Sequence, residues 1–347
     1  MIEVRDTTQT ILIALVAVLC FSSCGGGIQN AINPAGPQAD NLSRLWWLMF
    51  TVCSVVFVVV MIAVLLSLRN RTKVPPSETP PVVEPPHEQE RRRSNVVISA
   101  VSVTVIVLFV FLIASFSAGR SMTAELAHKN GLAIEVTGHQ WWWEIRYKDV
   151  DASNIFTTAN EIHIPVGVPV MFTLYGGDVI HSFWVPNLAG KKDLIPGKVN
   201  TMWLQADKPG VYRGQCAEYC GLQHAQMALW VVAEPQEQFN AWKQGQTQTS
   251  IPPASDSQKR GQQVFMSSTC VMCHAINGTP AGSNIGPNLT HVGSRNTIAA
   301  ATMSNTREHL AQWIRDSQQV KPGNKMPPNN LSDADLQSLI DYLQSLK

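Results

Sequence analysis

The sequence lacks a strong charge of either sign. Its 26 Lys and Arg are set against 25 Asp and Glu, a formal net charge of +1 over 347 residues. That balance offers no electrostatic footprint for nucleic acid, so none is expected as a partner. Two stretches, residues 45–68 and 95–118, lack charge altogether and also lack histidine. Each exceeds the roughly 20 apolar residues that cross a hydrocarbon core as a helix, so both are expected to span a membrane. With no imidazole or carboxylate at that depth, these helices cannot hold an intramembrane cofactor or a proton path, and such chemistry is left to a partner. Cysteine is scarce and uneven. Of seven, Cys20, Cys24 and Cys53 lie in or near apolar segments, and the rest form two tight pairs, Cys216/Cys220 and Cys270/Cys273.

Between the two apolar runs stand Arg69, Arg71, Lys73, Arg91, Arg92 and Arg93. This positive bias places the connecting loop in the cytoplasm and both termini outside. Residues 74–90 are rich in Pro and Glu and read as an extended link. Residues 11–20 are apolar and are followed by Phe21-Ser22-Ser23-Cys24 and three glycines, the order of a secretory signal, here of the lipoprotein kind with Cys24 lipidated. The expected organisation is a signal over 1–24, a membrane hairpin within 25–120, a β-domain over 121–235, a linker over 236–255 and a helical domain over 256–347. Both soluble domains would lie on the outer face of a bacterial plasma membrane.

From Gly131 to about Pro235 short alternating runs are broken by turns, the pattern of an antiparallel sandwich or barrel. Within it, Cys216, Cys220, His224 and Met227 place two thiols, an imidazole and a thioether in twelve residues. Soft sulfur with imidazole favours copper, and a second thiol is one too many for a mononuclear blue-copper site. Two thiolates bridging two copper ions would use both. A short-loop disulfide is the bland alternative, and a zinc site from Cys216, Cys220, His224 and His181 satisfies the donor types but leaves Met227 without a role. A distant histidine should complete the set, and His181 in Asp178-Val-Ile-His181-Ser-Phe-Trp is best placed. His128, His139 and His163 lie outside these loops and read as surface or packing residues.

After a polar, turn-rich stretch comes Cys270-Val-Met-Cys273-His274, the attachment signature of c-type haem. Cys270 and Cys273 would form the thioethers and His274 would ligate iron. A helix over about 257–267 presents Gly261 and Phe265 on one face. A closing helix is predicted from Ser332, with Asp335 in the reciprocal capping position and Leu336, Leu339, Ile340, Leu343 and Leu346 at helical spacing. Tyr342 should stand opposite Gly261. Met326, held extended by Pro327 and Pro328, is the expected sixth ligand, with Met303 and His291 as rivals.

The segments Gly138-His-Gln-Trp-Trp-Trp143, His181-Ser-Phe-Trp184, Asp193-Leu-Ile-Pro-Gly197 and Cys216–Met227 together resemble subunit II of cytochrome c oxidase. The resemblance covers the membrane hairpin and the whole β-domain, which it implies is a cupredoxin-like Greek key. It implies a binuclear CuA centre held by His181, Cys216, the Glu218 carbonyl, Cys220, His224 and Met227. It also implies a Mg2+ shared with subunit I through the Glu218 carboxylate, and Trp141 on the route by which electrons come in. Trp142 stands where the family usually has Tyr. Residues 256–347, with Gly286-Pro-Asn-Leu289 on the side of His274, resemble a class I cytochrome c. Fusion of the two resembles the caa-type oxidases. The implied function is electron transfer from an external donor, such as a soluble cytochrome c, to the haem–copper subunit I. There O2 is reduced and protons are moved, with subunit III a further partner. In that setting the covalent tether supplies proximity, so docking charge between the domains should matter less. A nitric oxide reductase with a similar copper subunit and a copper-delivery protein are the alternatives.

Overall fold

The computed structural model describes residues 27–69, 86–121 and 132–347. The leader with Cys24, most of the Pro/Glu-rich link and His128 lie outside the described residues. Runs of Val, Leu, Ile and Phe build two long helices, α1 (Pro37–Arg69) and α2 (His87–Ser121), each long and apolar enough to cross a membrane. Proline at the first position of α1 costs no hydrogen bond, because that N–H has no helical partner anyway. At 1.5 Å per residue the 33 residues of α1 reach about 50 Å, well beyond a hydrocarbon core of about 30 Å. The excess is used at its N-terminal end, where Gln38, Ala39 and Ser43 are buried. Gln38 Nε2 donates to Trp203 O, and Asn187 ties down the preceding turn through Asn30 O and Asn33 O.

The β-domain is a two-sheet sandwich. Strands β1 (Leu132–His139), β2 (Trp142–Lys148), β3 (Phe156–Ala159), β5 (Val170–Gly176) and β8 (Asn200–Leu204) form one sheet in the order β3-β2-β1-β5-β8. Strands β4 (Glu161–Pro165), β6 (His181–Trp184), β7 (Lys192–Leu194), β9 (Gly210–Cys216) and β10 (Ala228–Glu234) form the other, β4-β10-β9-β6-β7. The sheets are mixed, not wholly antiparallel as the alternation suggested. β1 runs parallel to β5 and β4 parallel to β10, because these neighbours belong to different hairpins joined by crossovers. Alternate residues such as Ile134, Val136, Ile145, Phe172 and Val231 fill the space between the sheets.

Residues 236–255, expected as a linker, contain a helix, α3 (Gln236–Gln246). Its apolar residues Phe239 and Trp242 pack on the β-domain, with Trp242 stacked on His163 at 4.1 Å and edge-on to Tyr147. His163 is thus a packing residue, held between Glu161 and Glu234.

The helical domain comprises α4 (Asp256–Ser267), α5 (Arg307–Arg315), α6 (Ser317–Val320) and α7 (Asp333–Ser345). Its termini are specified locally: Ser255 and Gln258 form a capping box on α4, and Ser332 accepts from Asp335 N–H on α7. The Asp335 carboxylate takes the Ser332 hydroxyl rather than returning to the cap backbone. α4 and α7 cross at Gly261, where an added Cβ would lie 2.0 Å from Ser338 O and 2.7 Å from Tyr342 Cβ. Only glycine admits that approach.

Candidate redox sites

Three neighbouring strands, β6, β9 and β10, bring the first set of donors to one edge of the sandwich. His181 opens β6, Cys216 closes β9, and Met227 directly precedes β10. The intervening loop returns Cys220 and His224 to the same spot. Cys216 Sγ lies 3.7 Å from Cys220 Sγ and 3.9 Å from His181 Nδ1. Cys220 Sγ lies 3.6 Å from His224 Nδ1 and 3.8 Å from Met227 Sδ. The Glu218 carbonyl is 3.2 Å from Cys216 Sγ. Both thiols are free, at a separation far beyond the roughly 2.05 Å of a disulfide, which sets aside the cross-link alternative here. Every donor expected from the sequence therefore converges, the distant His181 included. Gly138 lies under the His181 ring, where a Cβ would come within 2.8 Å of Cδ2.

The electrostatics suit a metal. Burial works against protonating His181, but its contacts with Cys216 and Asp178 overcome that and raise its pKa. Asp178 Oδ1 lies 2.9 Å from His181 Nε2, which directs Nδ1 toward the sulfurs. Burial would raise the Asp178 pKa, yet bonds from His181, the N–H groups of Gln140 and Val179, and Lys325 hold it down at about 2. The Cys216 thiol is driven down by its contact with Cys220, and Cys220 is driven up by the same contact, so the pair gives up one proton readily and the second only to a cation. A set of two thiols, two imidazoles, a thioether and a carbonyl fits copper. The thioether is a donor that tetrahedral zinc does not need.

The second site is a cavity of about 860 Å³ lined by Cys270, Cys273, His274, Pro287, Leu289 and Met326. Pro287 O lies 2.7 Å from His274 Nδ1, so this nitrogen donates and Nε2 is left for iron, while burial keeps the ring neutral. A Cβ on Gly286 would strike His274 Cε1 at 2.8 Å. Met326, also on the cavity wall, is fixed by its backbone, with its N–H bonded to Asn324 and its carbonyl to Ser317 and Gln318. Free Cys270 and Cys273, a poised imidazole and an apolar cavity of cofactor size fit a haem. Of the rival ligands, His291 is committed to Gln248 O at 3.1 Å, and Met303 packs against the helical core.

The same cavity is walled on its far side by Gln140, Trp141, Trp142 and Asp178 of the β-domain. Trp141 is buried and donates through Nε1 to Cys220 O at 3.0 Å, joining the cavity wall to the metal-ligand loop. Docking charge, expected to matter less, is present: Lys325 Nζ lies 3.1 Å from Asp178. Asp178 as the residue that orients His181 was not foreseen, although its place three residues before the imidazole was the available signal. His139 stacks on Trp142 at 4.7 Å, outside the donor set.

A cupredoxin-like domain holding soft donors, set against a helical domain with a haem-attachment motif, places the chain among electron-transfer proteins. Residues 151–234 match the family described as cytochrome C oxidase subunit II, periplasmic domain, and residues 258–347 match cytochrome c. Cytochrome c oxidase subunit 2 of Alkalihalophilus pseudofirmus is 44% identical over 63% of this chain and 62% of its own length. That of Bacillus sp. strain PS3 is 34% identical over 66% of each chain. The Bacillus subtilis protein is 29% identical over 99% of both. The chain thus spans just under two thirds of the first two relatives and nearly all of the third. It belongs to the cytochrome c oxidase subunit II family, in a form that also carries a cytochrome c domain.

Proposed function

We propose that this chain is the electron-accepting subunit of a haem–copper terminal oxidase, taking electrons from an external donor and handing them to an O2-reducing, proton-translocating subunit I. The observation that carries this reading is the shared wall: Trp141 borders the cavity of Cys270, Cys273 and His274 and bonds to the loop of Cys216 and Cys220. When bound, a binuclear copper centre and a covalent haem supply one-electron redox chemistry. His181, Cys216, Cys220, His224, Met227 and the Glu218 carbonyl hold the copper pair. Cys270 and Cys273 would tether the haem, and His274 and Met326 would hold its iron. A thioether donor together with an imidazole would raise the potential of the haem. Asp178 keeps His181 in the ligating orientation, Trp141 lies on the route by which electrons come in, and the Glu218 carboxylate would reach a Mg2+ shared with subunit I. The two apolar helices span the bacterial plasma membrane, with both soluble domains on its outer face and Cys24 lipidated there. Subunit III is a further partner.

Metal and haem analysis of the full chain, with optical and paramagnetic resonance spectra, tests the reading. Two coppers per chain with a delocalised mixed-valence signal, plus one covalent haem, are expected. One zinc, or a Cys216–Cys220 disulfide without copper, would overturn it. O2 consumption set against NO consumption by the assembled complex separates the oxidase from a nitric oxide reductase.

A further inference from the structure

Lys321, just beyond α6, is 2% exposed. Its Nζ donates to Trp141 O at 3.0 Å, Gln226 O at 2.8 Å and Ala299 O at 3.2 Å. An ammonium carries three donors, so these three carbonyls saturate it. Two acceptors belong to the β-domain: one is on the tryptophan that walls the cavity, the other directly precedes the ligand Met227. The third belongs to the helical domain. Burial pulls the Lys321 pKa down to about 7, while carbonyl acceptors favour the charged form.

The backbone that meets this lysine is strained. Ala299, Ala300 and Ala301 have φ of 55°, 57° and 59°, a left-handed run that alanine adopts only when its surroundings impose it. The run aims Ala299 O at Lys321 and Ala300 O at Ala228 N–H across the domain boundary, 3.2 Å away. Around this point Gln223 Nε2 donates to Pro322 O at 2.6 Å and Thr302 Oγ1 to Gln226 O at 3.3 Å.

We infer that Lys321 is the clasp that holds the cytochrome domain on the metal-site face of the β-domain, and so is a positioning residue for electron transfer between the two sites. The transfer role rests on the function proposed above; the clasp itself does not. A tether raises local concentration without fixing a distance. Lys321 selects one arrangement, with Trp141 and Trp142 between the sites.

The test uses the full chain in its membrane complex and compares wild type with Lys321→Met, which keeps the stem and removes the donors. Hydrogen exchange of residues 221–228 and 297–302 should accelerate about ten-fold or more, because three buried carbonyls lose their partner. Exchange of residues 231–233, inside the β10 ladders, should not change. Reduction of the copper site after photoreduction of the haem should slow by a similar factor, with copper and haem spectra unaltered. Exchange and transfer rates equal to wild type would overturn the clasp. Should Lys321→Met fail to accumulate, Lys321→Gln, which keeps two of the donors, is read the same way. A wild-type chain without copper would overturn the proposed function, while the exchange comparison would still decide the clasp.

Discussion

His181, Cys216, Cys220 and Met227 are buried, and their donor atoms already face one another, whereas Cys270, Cys273 and His274 are half-buried around open space. The difference follows from what each scaffold supplies. Paired strands place side chains by register, so Phe183 opposite Cys216 and Ala228 opposite Gln215 settle where the ligand loop begins and ends. The helical domain is instead held by contacts along one side, chiefly α4 on α7, and its other side lines a cavity. The β-domain sets its donors by strand register at the edge of a continuous core; the helical domain sets its own around a cavity.

The largest expected break in that comparison is Cys270→Ser combined with Cys273→Ser. Covalent haem on a denaturing gel should vanish, and residues 256–347 should become protease-sensitive while the β-domain stays resistant. Cys216→Ser should abolish the copper near-infrared band, yet the metal-free variant should unfold within about 2 kcal/mol of the metal-free wild type, because the surrounding core is intact. Gly261→Ala should cost the helical domain about 3 kcal/mol, read as a fall in the melting temperature of that domain alone, since a methyl has no room beside Ser338 O. A smaller effect concerns acid. The Asp178 pKa is depressed from 3.8 to about 2, so its contribution is complete above pH 3.8 and is lost as pH falls to 2. Asp178→Asn should remove that part of the acid-induced loss, followed by tryptophan fluorescence. Least of all, Asp333→Asn, which breaks an exposed pair with Arg315, should leave the melting temperature within error.

Both donor clusters were legible where the chemistry is local. Cys216–Met227 and Cys270–His274 each compress their ligands into a few residues, and such spacing has few other uses. The α4–α7 crossing was legible too, because Gly261 and Tyr342 sit at helical spacing with their apolar neighbours. The helix over 236–246 was not. QEQFNAWKQGQ offers only Phe239 and Trp242 as large apolar residues, and their partners, Tyr147, Phe156 and His163, come from strands far away in the chain. Lys321 was equally silent, because the groups it bonds are backbone carbonyls, which every residue carries. The orienting role of Asp178 was signalled only by its place three residues before His181, because the contact itself depends on ring direction, a side-chain torsion.

The stitching of residues 30–39 onto the β-domain has a consequence for geometry above the bilayer. Asn187 grips Asn30 and Asn33, Ala35 exchanges backbone bonds with Asn187 and Asp207, and Gly36 lies so close to Gln205 that a Cβ would fall 2.0 Å from its carbonyl oxygen. The domain is thus seated on the projecting end of α1 like a cap on a post, not hung from it by a cord. Its height and heading relative to α1 are set by a rigid stem, so a tilt of that helix would turn the whole sandwich with it.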